Sequence, residues 1–178
     1  MTPSRARRTR TREPRPAGEK SVPREITLAI ASTNDELTAV RELLVEYARG
    51  VPVDLAYQRF REEVRELPSA YAAPGGTLLL ARVGPEAAGC VGLRPGPGRS
   101  GELKRLFVRP AYRRMGIGRV LVETVVETAR GRGYTSLCLD TLPSMEHAYR
   151  LYLALGFEPT EPYYETPVPG TRFLAYAL

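Results

Sequence analysis

The sequence predicts an α+β fold, an α/β/α sandwich built on a mixed, twisted sheet with helices on both faces. Three observations carry this expectation. The apolar runs 77–83 and 87–93 flank Gly84 and Pro85, which reads as an antiparallel hairpin. A third run, 102–108, follows a Pro- and Gly-rich turn and continues the meander. A long amphipathic segment from about 117 to 130 then separates it from a run at 134–140, a crossover of the right length for parallel pairing.

Taken in order, residues 25–32 alternate Ile26, Leu28 and Ile30 and predict a first strand. Asn34 or Asp35 suits the cap of a helix running to about Arg49, with Leu37, Val40, Leu44 and Tyr47 on one face, until Gly50 and Pro52 break it. Asp54 and the apolar positions Leu55, Phe60, Val64 and Leu67 predict a second helix, ended by Pro68. Pro74, Gly75 and Gly76 turn the chain into the hairpin. In the long helix the expected inward stripe is Ile117, Val120, Leu121, Thr124, Val125 and Thr128. Pro143 or Ser144 opens a last helix with Met145, Ala148, Leu151, Tyr152 and Leu155 facing inward. Gly156 ends it, and Phe157 begins a strand expected to pair with 172–178.

Length and composition divide the chain in two. Residues 1–24 carry eight basic side chains, two acidic ones and several prolines, a composition that cannot bury enough apolar surface to order itself. Removing those eight from 26 basic residues, and those two from 20 acidic ones, leaves 18 of each, so the formal charge of +6 belongs to the tail. Residues 25–178 are therefore expected to form a single domain, and nucleic acid is expected to meet at most the tail, without specificity. No apolar run approaches a membrane span and the basic start leads into no apolar segment, so no membrane association and a cytoplasmic location are expected. Cys90 and Cys138 lie in apolar strands as small hydrophobes of a reducing compartment. The single histidine, His147, has no cysteine or histidine cluster near it, and no metal site is read.

The chemistry concentrates in the turn 109–118. Gly116 and Gly118 remove two side chains where the backbone enters a helix, so free amides can approach a ligand. Arg113, Arg114 and Arg119 add positive charge, and the helix end favours an anion; a phosphate-bearing ligand is the economical reading. The lysine of a P-loop is missing after Gly118, and the third glycine of a dinucleotide fingerprint would fall at Leu121. What remains, Arg113-x-x-Gly116-x-Gly118 after the strand `GELKRLFV`, with Leu151-Tyr152-x-x-x-Gly156-Phe157 downstream, resembles the GCN5-related N-acetyltransferase (GNAT) family over roughly residues 77–178.

The resemblance implies acetyl-CoA as co-substrate, no metal, and transfer of acetyl to a primary amine of a small molecule or peptide in a ternary complex. It implies main-chain contacts to the pantetheine arm from Leu106, Phe107 and Val108, and a pyrophosphate site at Arg113, Arg114, Gly116, Ile117, Gly118 and Arg119. Ser144 stands where the family places an asparagine. Glu102 matches a catalytic glutamate and Tyr152 the general acid that protonates the thiolate. Tyr57, Arg61, Tyr71, Tyr163, Tyr164 and Glu165 are the acceptor-side candidates, and a homodimer is compatible with the family. The plainer reading is preferred for two of these, packing for Tyr57 and a solvent-facing helix position for Arg61, and Arg105 and Arg109 suit exposed or paired strand-end arginines. Two other readings stay open: a coenzyme A-binding module without catalysis, and a basic-tailed interaction protein.

Overall fold

The computed structural model describes residues 25–178, so the expected basic tail lies outside the described residues. The elements are β1 (Ile26–Ile30), α1 (Asn34–Gly50), α2 (Phe60–Arg65), β2 (Thr77–Val83), β3 (Glu86–Pro95), β4 (Ser100–Val108), α3 (Ile117–Gly131), β5 (Ser136–Thr141), α4 (Glu146–Ala154), β6 (Glu158–Pro159) and β7 (Arg172–Ala177). The strands form one sheet in the order β1-β2-β3-β4-β5-β7-β6, and β4–β5 is its parallel pair. Two clusters cover its faces. Ile117, Leu121, Val125 and Ala129 of α3, with Tyr152 of α4, pack on one face; Leu37, Val40, Leu43 and Leu44 of α1, with Phe60 of α2, pack on the other. Among the described residues no helix is long and apolar enough to cross a membrane.

Several local expectations need correction. Thr33, rather than Asn34 or Asp35, caps α1: its hydroxyl accepts from the Glu36 amide at 3.3 Å, and Glu36 accepts from the Thr33 amide at 2.9 Å. That reciprocal box is written in the sequence as Thr-x-x-Glu. The single second helix is instead a 3-10 turn, Leu55–Gln58, and the short α2, because Arg59 between them sits in the left-handed region at φ 54°. In α3 the buried stripe includes Val122, Val126 and Ala129, whereas Val120 is exposed. Thr124 and Thr128 turn their hydroxyls back to the carbonyls of Val120 and Thr124, at 2.8 and 2.7 Å, satisfying themselves on the outer flank.

Two irregularities of β4 position the site. First, its ladder with β5 lasts only from Ser100↔Ser136 to Glu102↔Cys138; beyond that the strands diverge, β4 staying on β3 and β5 on β7. Second, β4 carries an extra residue against β3. Gly92 faces Lys104 and Cys90 faces Phe107, so Arg105 and Leu106 together oppose Val91. Arg105 takes φ 61° at this bulge. Lys104 and Arg105 consequently both project to the α1–α2 face, where strict alternation would separate them.

Candidate active site

The fork between β4 and β5 opens a cleft with a different construction at each end. At one end the chain leaves β4 and enters α3 through a turn in which Arg114 and Gly116 adopt φ 67° and 82°. The first helical bond runs from the Val120 amide to the Gly116 carbonyl; among the described residues the amides of Ile117, Gly118 and Arg119 have no acceptor. They form the free donor end of a 15-residue helix. A Cβ on Gly118 would stand 3.3 Å from Leu151 Cδ2, so the bare glycine keeps this end close to α4. Arg113, Arg114 and Arg119 are exposed around the turn, while Ile117 is buried and offers only its amide. Arg113 Nε donates to the Val108 carbonyl at 3.2 Å, bracing the turn and occupying one of the expected main-chain contacts. Leu106 and Phe107 lie half-buried on the diverged arm of β4.

Ser144 is exposed in a turn before α4. The helix starts at Glu146 with Met145 as its N-cap, held by the Met145 amide to the Leu142 carbonyl at 2.9 Å, so Ser144 does not cap it.

Where the strands part, a small cavity of about 40 Å³ is lined from both arms by Leu106, Lys104, Asp140, Thr141 and Tyr152. Tyr152 is 4% exposed and its hydroxyl has no hydrogen-bond partner among the described residues. Burial, reinforced by Tyr47 and Asp140, pushes its phenol above the ordinary tyrosine range, which keeps the proton on it near neutrality.

The other end is made of side chains. Glu102 and Arg94 face each other across β4 and β3, and Arg94 Nε donates to Glu102 Oε2 at 2.6 Å. Tyr163, from the loop between β6 and β7, donates to Glu102 Oε1 at 3.0 Å; burial first, then the Glu102 charge, raises the Tyr163 phenol pKa. Lys104 Nζ lies 2.5 Å from Asp140 Oδ1 and 3.6 Å from Glu102, bridging the fork two residues beyond the last ladder pair. Gln58 accepts from Arg105 Nη1 at 2.7 Å, and its Nε2 lies within 3.4 Å of Asp140 and the Tyr57 and Tyr164 hydroxyls. Around this network an open pocket of about 390 Å³ is lined by Tyr57, Arg94, Glu102, Tyr163 and Tyr164.

Three acceptor candidates are not part of it. Tyr71 is buried, donates to Glu63 at 2.7 Å, and packs its ring where a Cβ on Gly92 would stand, so it is a core residue. Arg61 and Glu165 are exposed and line neither space. Arg105 and Arg109 are paired, with Glu63 and Glu46. Gln58, Arg94, Lys104 and Asp140 escaped the sequence reading, although a lysine and an aspartate inside apolar central strands are a signal of their own.

The cysteines take no part. Burial pushes Cys90 up to about 12 and raises Cys138, so both thiols hold their protons. Among the described residues no group of three or more His, Cys, Asp or Glu gathers as a metal site requires.

Residues 37–157 match the profile described as the Acetyltransferase (GNAT) family. The chain belongs to that family. This acetyltransferase is similar to an uncharacterized N-acetyltransferase of Schizosaccharomyces pombe, 36% identical over 155 residues, covering 85% of this chain and 94% of that one. Its fold is similar to that of a GNAT-family acetyltransferase from Staphylococcus aureus, with a TM-score of 0.73 at 20% identity over 86% of this chain and 99% of the other. It is also similar to that of the PaiA N-acetyltransferase from Thermoplasma acidophilum in complex with coenzyme A, with a TM-score of 0.69 at 16% identity over 86% and 99% of the two chains. The acetyltransferase thus carries the family's sequence profile and its sheet together.

Proposed function

We propose that the protein transfers an acetyl group from acetyl-CoA to a primary amine of a small molecule or peptide, by direct attack while both are bound. The observation that carries this reading is the fork itself. An unpaired strand arm and a free helix end lie on one side, a polar pocket on the other, and an unpartnered phenol between them. Coenzyme A in the Thermoplasma acidophilum relative supports the choice of donor.

Acetyl-CoA supplies the acyl group activated as a thioester. The amides of Ile117, Gly118 and Arg119, with the charge of Arg114, take its pyrophosphate, and the free edge of β4 at Leu106 and Phe107 receives the extended arm. Glu102 takes the proton released as the amine bonds to the acyl carbon, directly or through water. Tyr152 gives its proton to the departing sulfur. Holding both reactants at one fork supplies much of the acceleration.

Tyr152→Phe deletes the donor and keeps the ring's packing. Loss of a positioned acid costs about 10²–10⁴-fold in rate, so kcat should fall by at least about tenfold with acetyl-CoA affinity unchanged. Steady-state kinetics with thiol release as readout, paired with calorimetry, measures both. Wild-type kcat under chemistry-limited conditions would reduce Tyr152 to a packing residue.

A further inference from the structure

Three arginines flank the site, and they differ in how their nitrogens are used. Arg105 spends Nε and Nη2 on Glu63 and Nη1 on Gln58. Arg109 spends Nε and Nη2 on Glu46 and Nη1 on the Ala87 carbonyl. Arg94 spends only Nε, on Glu102. Among the described residues its Nη1 and Nη2 have no partner, and neither is one of the sealed, unpartnered polar atoms. Its side chain is 29% exposed, against 7% for Glu102, and forms part of the wall of the 390 Å³ pocket.

The charges in that wall point the same way. Arg94 and Lys104 stand against Glu102, and Lys104 is already drawn to Asp140. With Arg94 on Glu102 these four charges balance, and what Arg94 still offers is its two unpartnered donor nitrogens. A guanidinium presents its donors as a rigid planar fork matched to a carboxylate, and a fork held at one nitrogen by Glu102 is oriented before any ligand arrives. Because Arg94 and Glu102 are direct cross-strand partners, a group received by one lies beside a group received by the other.

We propose that the acceptor is an amino carboxylate, its amine facing Glu102 and its carboxylate, a few bonds away, received by the Nη1 and Nη2 edge of Arg94. This rests on the amine-transfer reading above and adds the substrate class to it. An α- or β-amino acid has the required spacing. A diamine has no anion for Arg94, and in a long peptide the carboxylate lies far from the terminal amine. The three tyrosines leave the side chain of such an acid an aromatic wall in a pocket of suitable size.

The test uses matched probes: a panel of free amino acids, the corresponding amino acid amides, and the decarboxylated amines. Binding to the full-length protein saturated with coenzyme A is measured by calorimetry, and turnover with acetyl-CoA by thiol release. A charge-assisted pair discriminates by roughly ten- to a hundredfold; at least one acid should bind that much more tightly than its amide and its amine. Arg94→Gln should bring the acid-to-amide ratio close to one, whereas a merely structural role would lower both members together. Equal affinity across every matched set in the wild-type protein overturns the proposal, as does an unchanged ratio in Arg94→Gln. A preserved acid preference without acetyl transfer supports the subsite and instead removes the transfer reading.

Discussion

The two ends of the cleft hold charge by different means. Around the turn 113–119 the positive potential comes from main-chain amides at the start of α3 and from arginines on the surface, and the conformation depends on Gly116 and on Arg114 at positive φ. Around Glu102 charges of both signs are held among side chains of five separate segments: Gln58, Arg94 of β3, Glu102 and Lys104 of β4, Asp140 of β5, and Tyr163 from the loop before β7. A backbone site loses a ligand when its shape is filled, and its fold hardly notices. A buried side-chain network is part of the fold's electrostatics, so removing one member strands the others.

Lys104→Met should show the largest effect. It leaves Asp140 and Glu102, each with a side chain under a tenth exposed, without their shared cation. Breaking a buried pair from one side costs about 3–5 kcal/mol, which denaturant unfolding would read directly; an unfolding midpoint equal to wild type would mean that the network is not structural. Gly118→Trp is the counterpart at the other end. The ring would fill the approach to the free amides, and calorimetry should show acetyl-CoA affinity down by at least about tenfold, or 1.4 kcal/mol, with the unfolding midpoint lowered less than in Lys104→Met because only the Leu151 side-chain end must give way. Unaltered affinity in a folded variant would displace the donor site from this turn.

The smallest effect is expected at the root of the turn, where Arg109 pairs with Glu46 at 2.7 Å with both side chains partly in solvent. Hydrogen bonds from Arg109 hold the Glu46 carboxyl below the usual range, more than offsetting burial. Its contribution is therefore present above the ordinary carboxylate value of about 4.3 and fades as pH falls through the lowered one. Solvent screening keeps such a pair below about 1 kcal/mol. Glu46→Gln should lower stability slightly at pH 7, and the difference from wild type should close in acid. A gap of several kcal/mol at neutral pH would erase the contrast between the two ends.

The same contrast decides what the sequence could reveal. The turn is contiguous, so its glycines and arginines announce it, and the hairpin, the bounds of β2 and the crossover into β5 follow from local pattern. The acceptor network is assembled across 36 residues between Lys104 and Asp140 and 61 between Glu102 and Tyr163, which no local period encodes. Tyr71 resembled a pocket tyrosine because nothing nearby in sequence shows Gly92 making room for its ring. The break at Arg59 was hidden too, since an arginine at positive φ carries no glycine to mark it. Tyr152 was legible because helical spacing alone puts it inside.

The extra residue in β4 works as a phase shift. Below it, Glu102 and Lys104 address the acceptor pocket; above it, odd-numbered Phe107 takes over the same face, while Leu106 and Val108 pack toward α3. One strand thereby serves a polar chamber with one half and the donor's path with the other, without a domain boundary between them. Straightening the bulge with every residue kept would restore strict alternation and carry Leu106 and Val108 to the α1–α2 face together. Efforts to change the acceptor should therefore vary side chains within β4 and keep its length fixed, confining insertions to the β3–β4 turn at residues 96–99, where the chain is already outside the ladder.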